Sequence, residues 1–149
     1  MFITTENNVN NENKQLVTDF FTALNQARIA DLGDYLAADV VDHNKVIHGE
    51  PDEPGAAFAA IATQLSALAP YRARIDELIA EGDKVVARIT QSGVSSGGHP
   101  RMPVPTGLSF ENEAIFVFTV TAGRISEIRG VSDRLGLFLQ LGWDWPTVD

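Results

Sequence analysis

The sequence predicts one α+β domain in which helices from the start of the chain pack on a curved antiparallel sheet. Three observations support this fold class. Apolar residues recur at helical spacing in the first half of the chain, strand patterns fill the second half, and two glycine-containing tight turns divide those strands into hairpins. Helices on one face of a bent sheet can enclose a pocket, so we expect a cone with a central small-molecule pocket.

Composition is that of an ordinary globular domain and argues against several classes of partner. The 149 residues include 20 acidic and 11 basic side chains, giving a formal net charge of -9. Such a surface repels nucleic-acid phosphates and anionic membranes. No apolar run approaches the roughly 20 residues that span a bilayer, and the N-terminal sequence lacks the pattern of a secretory signal. We therefore expect a cytoplasmic protein without nucleic-acid or membrane partners.

The N-terminal half predicts three helices and one short strand. Residues 1–10 are polar and rich in asparagine, which is typical of a disordered tail, and residues 11–149 are expected to form a single domain. The apolar stripe of the first helix includes Phe20, and Pro70 ends the third helix. The predicted helices cover 11–27, 31–36 and 55–69, and the strand covers 39–44.

The C-terminal half predicts four antiparallel strands and a last short helix. The sequences EGDK and TAGR predict tight turns, each joining two strands into a hairpin. Between the hairpins, SSGGHPRMPVPTG predicts a loop that carries His99 and can close over a ligand. The predicted strands cover 72–80, 84–95, 108–120 and 125–133, and the helix begins near Arg134.

The TAGR turn predicts which side chains of the last hairpin share one face. Thr121 pairing with Arg124 places four pairs on that face: Phe118 with Glu127, Phe116 with Arg129, Ala114 with Val131, and Asn112 with Asp133. An apolar wall with a few polar groups is typical of a small-molecule pocket. A solvated or dimer-facing surface with ordinary cross-strand pairs is the alternative.

Six segments carry a resemblance to a known family. NKQLVTDFFTALN, VVDHN, LIAEGDKVVARIT, VPTG, TAGRISEI and DRLGLFLQLG, in this order, resemble the SnoaL-like polyketide cyclases of the nuclear-transport-factor-like and ketosteroid-isomerase-like superfamily. The resemblance covers residues 13–143. It implies a cystatin-like cone, a homodimer formed through the outer sheet face, and ring closure by acid/base aldol chemistry without a cofactor. Relatives also include epoxide hydrolases and non-catalytic binding domains, so those alternatives stay open.

The resemblance assigns candidate catalytic positions. His43 in VVDHN matches a position that points into the cavity, where it could act as a general base; a core histidine bonded to a backbone carbonyl is the alternative. Asp133 matches the acidic residue before the LG helix, where it either acts in catalysis or caps that helix. Many relatives hold an Asp or His where this chain has Phe116, which cannot transfer a proton. That departure favours the binding-domain alternative.

The remaining predictions complete the site. Arg129 and Asn112 are predicted to polarise a carbonyl of a hydrophobic, oxygenated ligand, with Asp133 orienting Arg129. An epoxide hydrolase would need a second carboxylate on this face, which only Glu127 supplies. The three histidines lack a paired spacing, so no metal site is predicted. The side chains predicted to contact the ligand are Phe20, His99, Phe116 and Phe118.

Overall fold

The computed structural model describes residues 5–44, 53, 55–100 and 102–142, and within them the predicted α+β class is confirmed. Helices come first and a four-stranded meander comes last. The elements in chain order are α1 (Thr5–Asn25), a 3-10 helix (Ile29–Asp34), β1 (Leu36–Asp42), α2 (Ala56–Ala67), β2 (Arg72–Glu81), β3 (Lys84–Val94), β4 (Ser109–Thr121), β5 (Arg124–Ser132) and α3 (Arg134–Gln140).

The sheet has the order β1-β5-β4-β3-β2, and it is mixed because β1 runs parallel to β5. The predicted antiparallel meander is confirmed for β2 to β5, and β1 adds a parallel strand at one edge of the sheet. The strand also begins at Leu36, earlier than the predicted 39, because buried Leu36 pairs with Ile125. Just before it, the Ile125 amide donates to the carbonyl of Tyr35 at 2.8 Å, which joins the two strands where β1 starts.

Helix α1 begins at Thr5 and not at residue 11, so residues 5–10 are helical and do not form the predicted tail. Asparagine has a low helix propensity, which is why the segment read as irregular. Val9 and Asn13 line a cleft beside the β2–β3 turn, and Asn13 Nδ2 donates to the carbonyl of Gly82 at 3.3 Å. Residues 1–4 lie outside the described residues.

Alternation along the strands gives the sheet two unlike faces. The inner face, which α1 covers, carries Val85, Ala87, Ile89, Ala114 and Phe118, all buried. The outer face carries the intervening side chains. Val17 and Phe20 of α1 are buried with the inner-face residues in one apolar core. No helix in the described part of the chain combines the length and hydropathy needed to cross a bilayer.

Candidate functional site

A β-bulge in the last hairpin changes which residues of β5 reach the inner face. Thr121 pairs with Arg124 as predicted and Val120 with Ile125, but Thr119 then pairs with Glu127, which leaves Ser126 as the extra residue. A one-residue shift sends every later side chain to the opposite face. The predicted pairs of Phe118 with Glu127, Phe116 with Arg129 and Ala114 with Val131 are therefore wrong. Phe118 instead faces Ile128, Phe116 faces Gly130, and Ala114 faces Ser132.

The hydroxyl of Ser126 accounts for the bulge physically. Ser126 Oγ donates to the main-chain oxygen of Thr119 at 3.2 Å and lies 2.8 Å from Thr121 Oγ1. The side chain thus bonds polar groups beside the interrupted ladder. As a consequence Arg129 is exposed on the outer face, and the prediction that it polarises a ligand carbonyl from the inner face is wrong.

The centre of the inner face is filled by side chains. Phe20 and Phe118 are 3% and 1% exposed and meet edge-to-face with ring centroids 6.0 Å apart. Phe116 stacks on Phe118 at 5.8 Å but is only half-buried, as is Asn112 further along β4. Any ligand on this face therefore contacts the part of β4 that carries Phe116 and Asn112, whereas Phe20 and Phe118 support it from the core.

Gly130 fixes the position of the Phe116 ring. A Cβ atom at Gly130 would lie 2.5 Å from two ring carbons of Phe116, so only glycine lets the ring rest on β5. Asn44 brackets the same residue: its Nδ2 donates to the carbonyl of Gly130, and the Gly130 amide donates to Asn44 Oδ1 at 3.0 Å. The asparagine side chain thus continues the sheet ladder after β1 ends.

Asp133 caps helix α3, as one of its two predicted roles requires. Its Oδ1 accepts from the amide of Gly136 at 2.8 Å, and a Cβ atom at Gly136 would clash with Oδ2. Glycine at this position makes room for the carboxylate. The side chain is exposed, and a carboxylate can accept more hydrogen bonds than this one. Capping therefore leaves Asp133 able to act on a ligand.

A chain of polar side chains runs through the core to Asp133. The Tyr71 hydroxyl donates to Gln91 Oε1 at 2.7 Å, Gln91 Nε2 donates to Asn112 Oδ1 at 3.0 Å, and Asn112 Nδ2 donates to the main-chain oxygen of Asp133 at 3.0 Å. Burial raises the pKa of the Tyr71 hydroxyl well above its ordinary value. Asn112 thus meets the main chain of Asp133, and the predicted cross-strand pair of the two side chains is not formed, because the register of β4 with β5 ends at Ala114 and Ser132.

Sequence reasoning missed Tyr71 and Gln91, and for Gln91 a signal was present. Gln91 lies on β3 at the same parity as Val85, Ala87 and Ile89, so the alternation alone places it on the apolar face. A polar residue at a buried position needs a hydrogen-bonding partner and is therefore informative. Tyr71 immediately precedes β2, and nothing in the local sequence pattern distinguishes it from a packing residue.

His43 points away from the inner face, so the prediction that it enters the cavity is wrong. Its Nε2 lies 3.0 Å from Glu127 Oε1, and Glu127 shares the outer face with Thr119. Lys84 Nζ donates to Thr119 Oγ1 at 2.7 Å in the same cluster. Hydrogen bonds from His43 and, secondarily, from Thr119 lower the pKa of the Glu127 carboxyl below its ordinary value of 4.5.

Glu127→Gln is expected to weaken the acid sensitivity of the fold. Because the pKa of Glu127 is lower in the folded state, its contribution to stability is present above about pH 4.5 and is lost as the pH falls through the folded-state value. Urea unfolding of both proteins between neutral pH and about pH 3 measures this. The free energy of unfolding of the variant should fall less than that of the wild type across the acid range. Parallel curves would show that the pair contributes nothing.

His99 lies in the loop between β3 and β4, where it forms a small main-chain bridge. The Met102 amide donates to the carbonyl of His99 at 3.0 Å, and Met102 packs against the core. The His99 side chain is half-buried. Its contact with a ligand remains a prediction.

A cleft of about 420 Å³ lies at the end of the sheet that carries the two hairpin turns. It opens between the N-terminal half of α1 and the two hairpin turns, and Glu12, Leu16, Asp83 and Val120 are among its lining residues. None of the predicted site residues lines it.

Comparisons with known proteins identify relatives over nearly the whole chain. The family model described as SnoaL-like polyketide cyclase matches residues 14–141. Aklanonic acid methyl ester cyclase DnrD of Streptomyces peucetius is 29% identical over 134 residues, which are 89% of this chain and 92% of that protein. Aklanonic acid methyl ester cyclase DauD of Streptomyces sp. strain C5 is 34% identical over 118 residues, which are 78% of this chain and 70% of that protein.

Solved structures share the fold. TsrD from Streptomyces laurentii is similar with a TM-score of 0.76 at 29% identity, over 88% of this chain and 95% of that one. IdmH from Streptomyces antibioticus is similar with a TM-score of 0.73 at 23% identity, over 87% and 98% respectively.

Proposed function

Because the chain belongs to the SnoaL-like polyketide cyclase family, we propose that it closes a ring in a flat, oxygenated polyketide by intramolecular aldol addition. One observation carries this proposal. The half-buried ring of Phe116 and the amide of Asn112 lie on the inner face, and Asn112 donates to the main chain of Asp133, whose exposed carboxylate caps the start of α3 next to this surface. An aromatic surface with a hydrogen-bond donor and a proton acceptor at its edge suits such a ligand.

The proposed reaction is balanced in atoms and protons, and each of the three groups has one role in it. The Asp133 carboxylate removes a proton from a carbon next to a carbonyl, and the resulting carbanion attacks a second carbonyl of the same molecule. One C–H bond breaks, one C–C bond forms, and the attacked oxygen takes the proton back from Asp133. The product is an isomer of the substrate, so no cofactor is consumed. Asn112 donates to an oxygen that gains negative charge, and Phe116 packs on the ring system.

The alternatives have less support. Epoxide hydrolysis would use Arg129 between two carboxylates, but Arg129 and Glu127 lie on the outer face, away from Asn112. A binding domain was suggested by Phe116 at the usual acid position. Asp133 supplies a carboxylate beside the same surface, and the curated relatives carry the names of cyclases. His43 has no part in the proposed reaction because it pairs with Glu127 on the outer face.

The experiment is an assay with aklanonic acid methyl ester, the compound in the names of the two relatives. The purified protein is incubated with the ester, and the products are separated by chromatography. We expect an isomer of unchanged mass whose NMR spectrum shows the new ring, and heat-inactivated protein should yield none. Binding without conversion would favour the binding-domain alternative.

We also propose a homodimer through the outer face. Ile115 and Val131 are directly opposite each other there, and Val131 is 78% exposed. Ile79 adds a third exposed apolar side chain on the same face.

Ile115→Asp is expected to give a monomer by light scattering, because it places a charge within the apolar surface that two copies would bury. Val104→Asp is the control, since Val104 is also an exposed apolar residue but lies in the loop before β4. Its mass should stay that of a dimer. A wild-type monomer mass would overturn the proposal.

A further inference from the structure

We infer that Tyr71 and Gln91 are positioning residues that hold the Asn112 amide with one N–H left for a ligand oxygen, so that the site selects a carbonyl or enolate oxygen. The inference rests on the proposed function, because it concerns the Asn112 end of the same surface. Tyr71 and Gln91 are 7% and 5% exposed, and neither can touch a ligand that lies on Phe116 and Asn112 without the core opening. Their effect must therefore pass through Asn112.

The hydrogen-bond chain has one possible direction because it ends on a main-chain carbonyl. The oxygen of Asp133 only accepts, so the atom of Asn112 next to it must be the amide nitrogen. Asn112 Oδ1 then faces Gln91, which must donate with Nε2, and Gln91 Oε1 accepts from Tyr71. Rotating any one amide by half a turn would place two acceptors against each other. The Asn112 oxygen is thus always occupied.

Burial excludes the water that would otherwise compete for these hydrogen bonds. Water cannot replace the partners of a side chain that is nearly fully buried, and an unpaired amide there is costly. The Tyr71 hydroxyl stays protonated because burial disfavours its charged form, so the first donor persists at every working pH. Asn112 is half-buried at the end of the chain, and its second N–H is the group not used within it. A ligand atom that meets Asn112 must accept a hydrogen bond.

The sharpest test is Gln91→Glu. An ionised carboxylate still accepts from Tyr71 but cannot donate to Asn112 Oδ1, so the Asn112 amide is forced to turn and its oxygen meets the Asp133 carbonyl. At neutral pH we expect kcat for the ester to fall about 10²-fold, with a smaller change in KM, as for loss of an oxyanion donor. Lowering the pH protonates the introduced carboxyl, which then donates as glutamine does. The variant-to-wild-type ratio of kcat should therefore rise as the pH falls.

Three further variants separate the direction of the hydrogen bonds from packing. Gln91→Leu fills similar space but can never donate, so its loss of kcat should not recover at low pH. Gln64→Glu places the same charge change on the exposed side of α2 and should leave both kcat and the pH profile unchanged. Tyr71→Phe removes only the first donor while the Asp133 carbonyl still holds Asn112. We expect it to lower kcat by about tenfold or less.

A readout independent of turnover is the NMR signal of the Asn112 side-chain amide, assigned by its absence in Asn112→Asp. It should shift in Gln91→Glu at neutral pH, return at low pH, and stay in place in Gln64→Glu. If the chemical shift of this amide is the same in both Gln91 variants as in the wild type, or if it changes while kcat does not, the inference is overturned. If it responds as expected but the wild type does not convert the ester, the positioning stands and the proposed function fails.

Discussion

Asp133→Asn is expected to lower kcat for ring closure by about 10²–10⁴-fold, because an amide cannot take a proton from carbon. Asparagine caps a helix about as well as aspartate. The Gly136 amide, which donates to Asp133 at 2.8 Å, therefore keeps an acceptor, and α3 should stay in place. Steady-state kinetics and thermal unfolding, measured in parallel, should show a large loss of activity with a melting temperature close to that of the wild type.

The companion variant Asp133→Ala separates the two roles of the side chain. It loses the proton acceptor and also the cap, so it should show the same loss of kcat together with destabilisation of about 1 kcal/mol. Wild-type kcat in Asp133→Asn would mean that another group is the base, and Asp133 would then be only the helix cap.

Phe118→Ala is expected to lower the free energy of unfolding by about 3–5 kcal/mol, the cost of leaving a cavity in a close-packed core. Phe118 is 1% exposed, and its ring lies within 6.0 Å of the rings of Phe20, Phe21 and Phe116. Removing it deprives helix α1 and strand β4 of a shared contact. Urea denaturation monitored by circular dichroism measures the change.

Phe116→Ala is the matched comparison, since Phe116 lies on the same strand and face but is half-buried. It should cost less stability than Phe118→Ala and should weaken binding of the ester more. Equal losses of stability would contradict the division between a filled core and a ligand-facing part of β4.

The fold was predictable from the sequence because its main signals are local. Tight turns fixed the meander. In the first hairpin the predicted EGDK turn sets a register that holds as far as Glu77, which faces Arg88 with Arg88 Nε 2.9 Å from Glu77 Oε2. The bounds of α1 and β1 were less accurate. The start of β1 depends on contact with a distant segment, the pairing of Leu36 with Ile125, which no local pattern contains.

The site was predicted less well because a single extra residue in a strand changes the sheet face on which every later side chain lies. The bulge at Ser126 lies close to the TAGR turn, so counting the register from that turn assigned Glu127, Arg129 and Val131 together to the wrong face. Serine is common in strands and turns alike, so nothing in the sequence marks it as the extra residue. Just after β1, the pairing with β5 turns His43 outward to Glu127 and leaves Asn44 to bracket Gly130.

The most direct test of the account is a crystal structure of the Asp133→Asn variant with aklanonic acid methyl ester bound. The account predicts that the ring system packs on Phe116 and that a carbonyl oxygen accepts from Asn112 Nδ2. The nearest carbon acid of the ester should lie within reach of the residue 133 side chain. An ester bound instead in the cleft between α1 and the hairpin turns, or on the outer face beside His43 and Glu127, would contradict it.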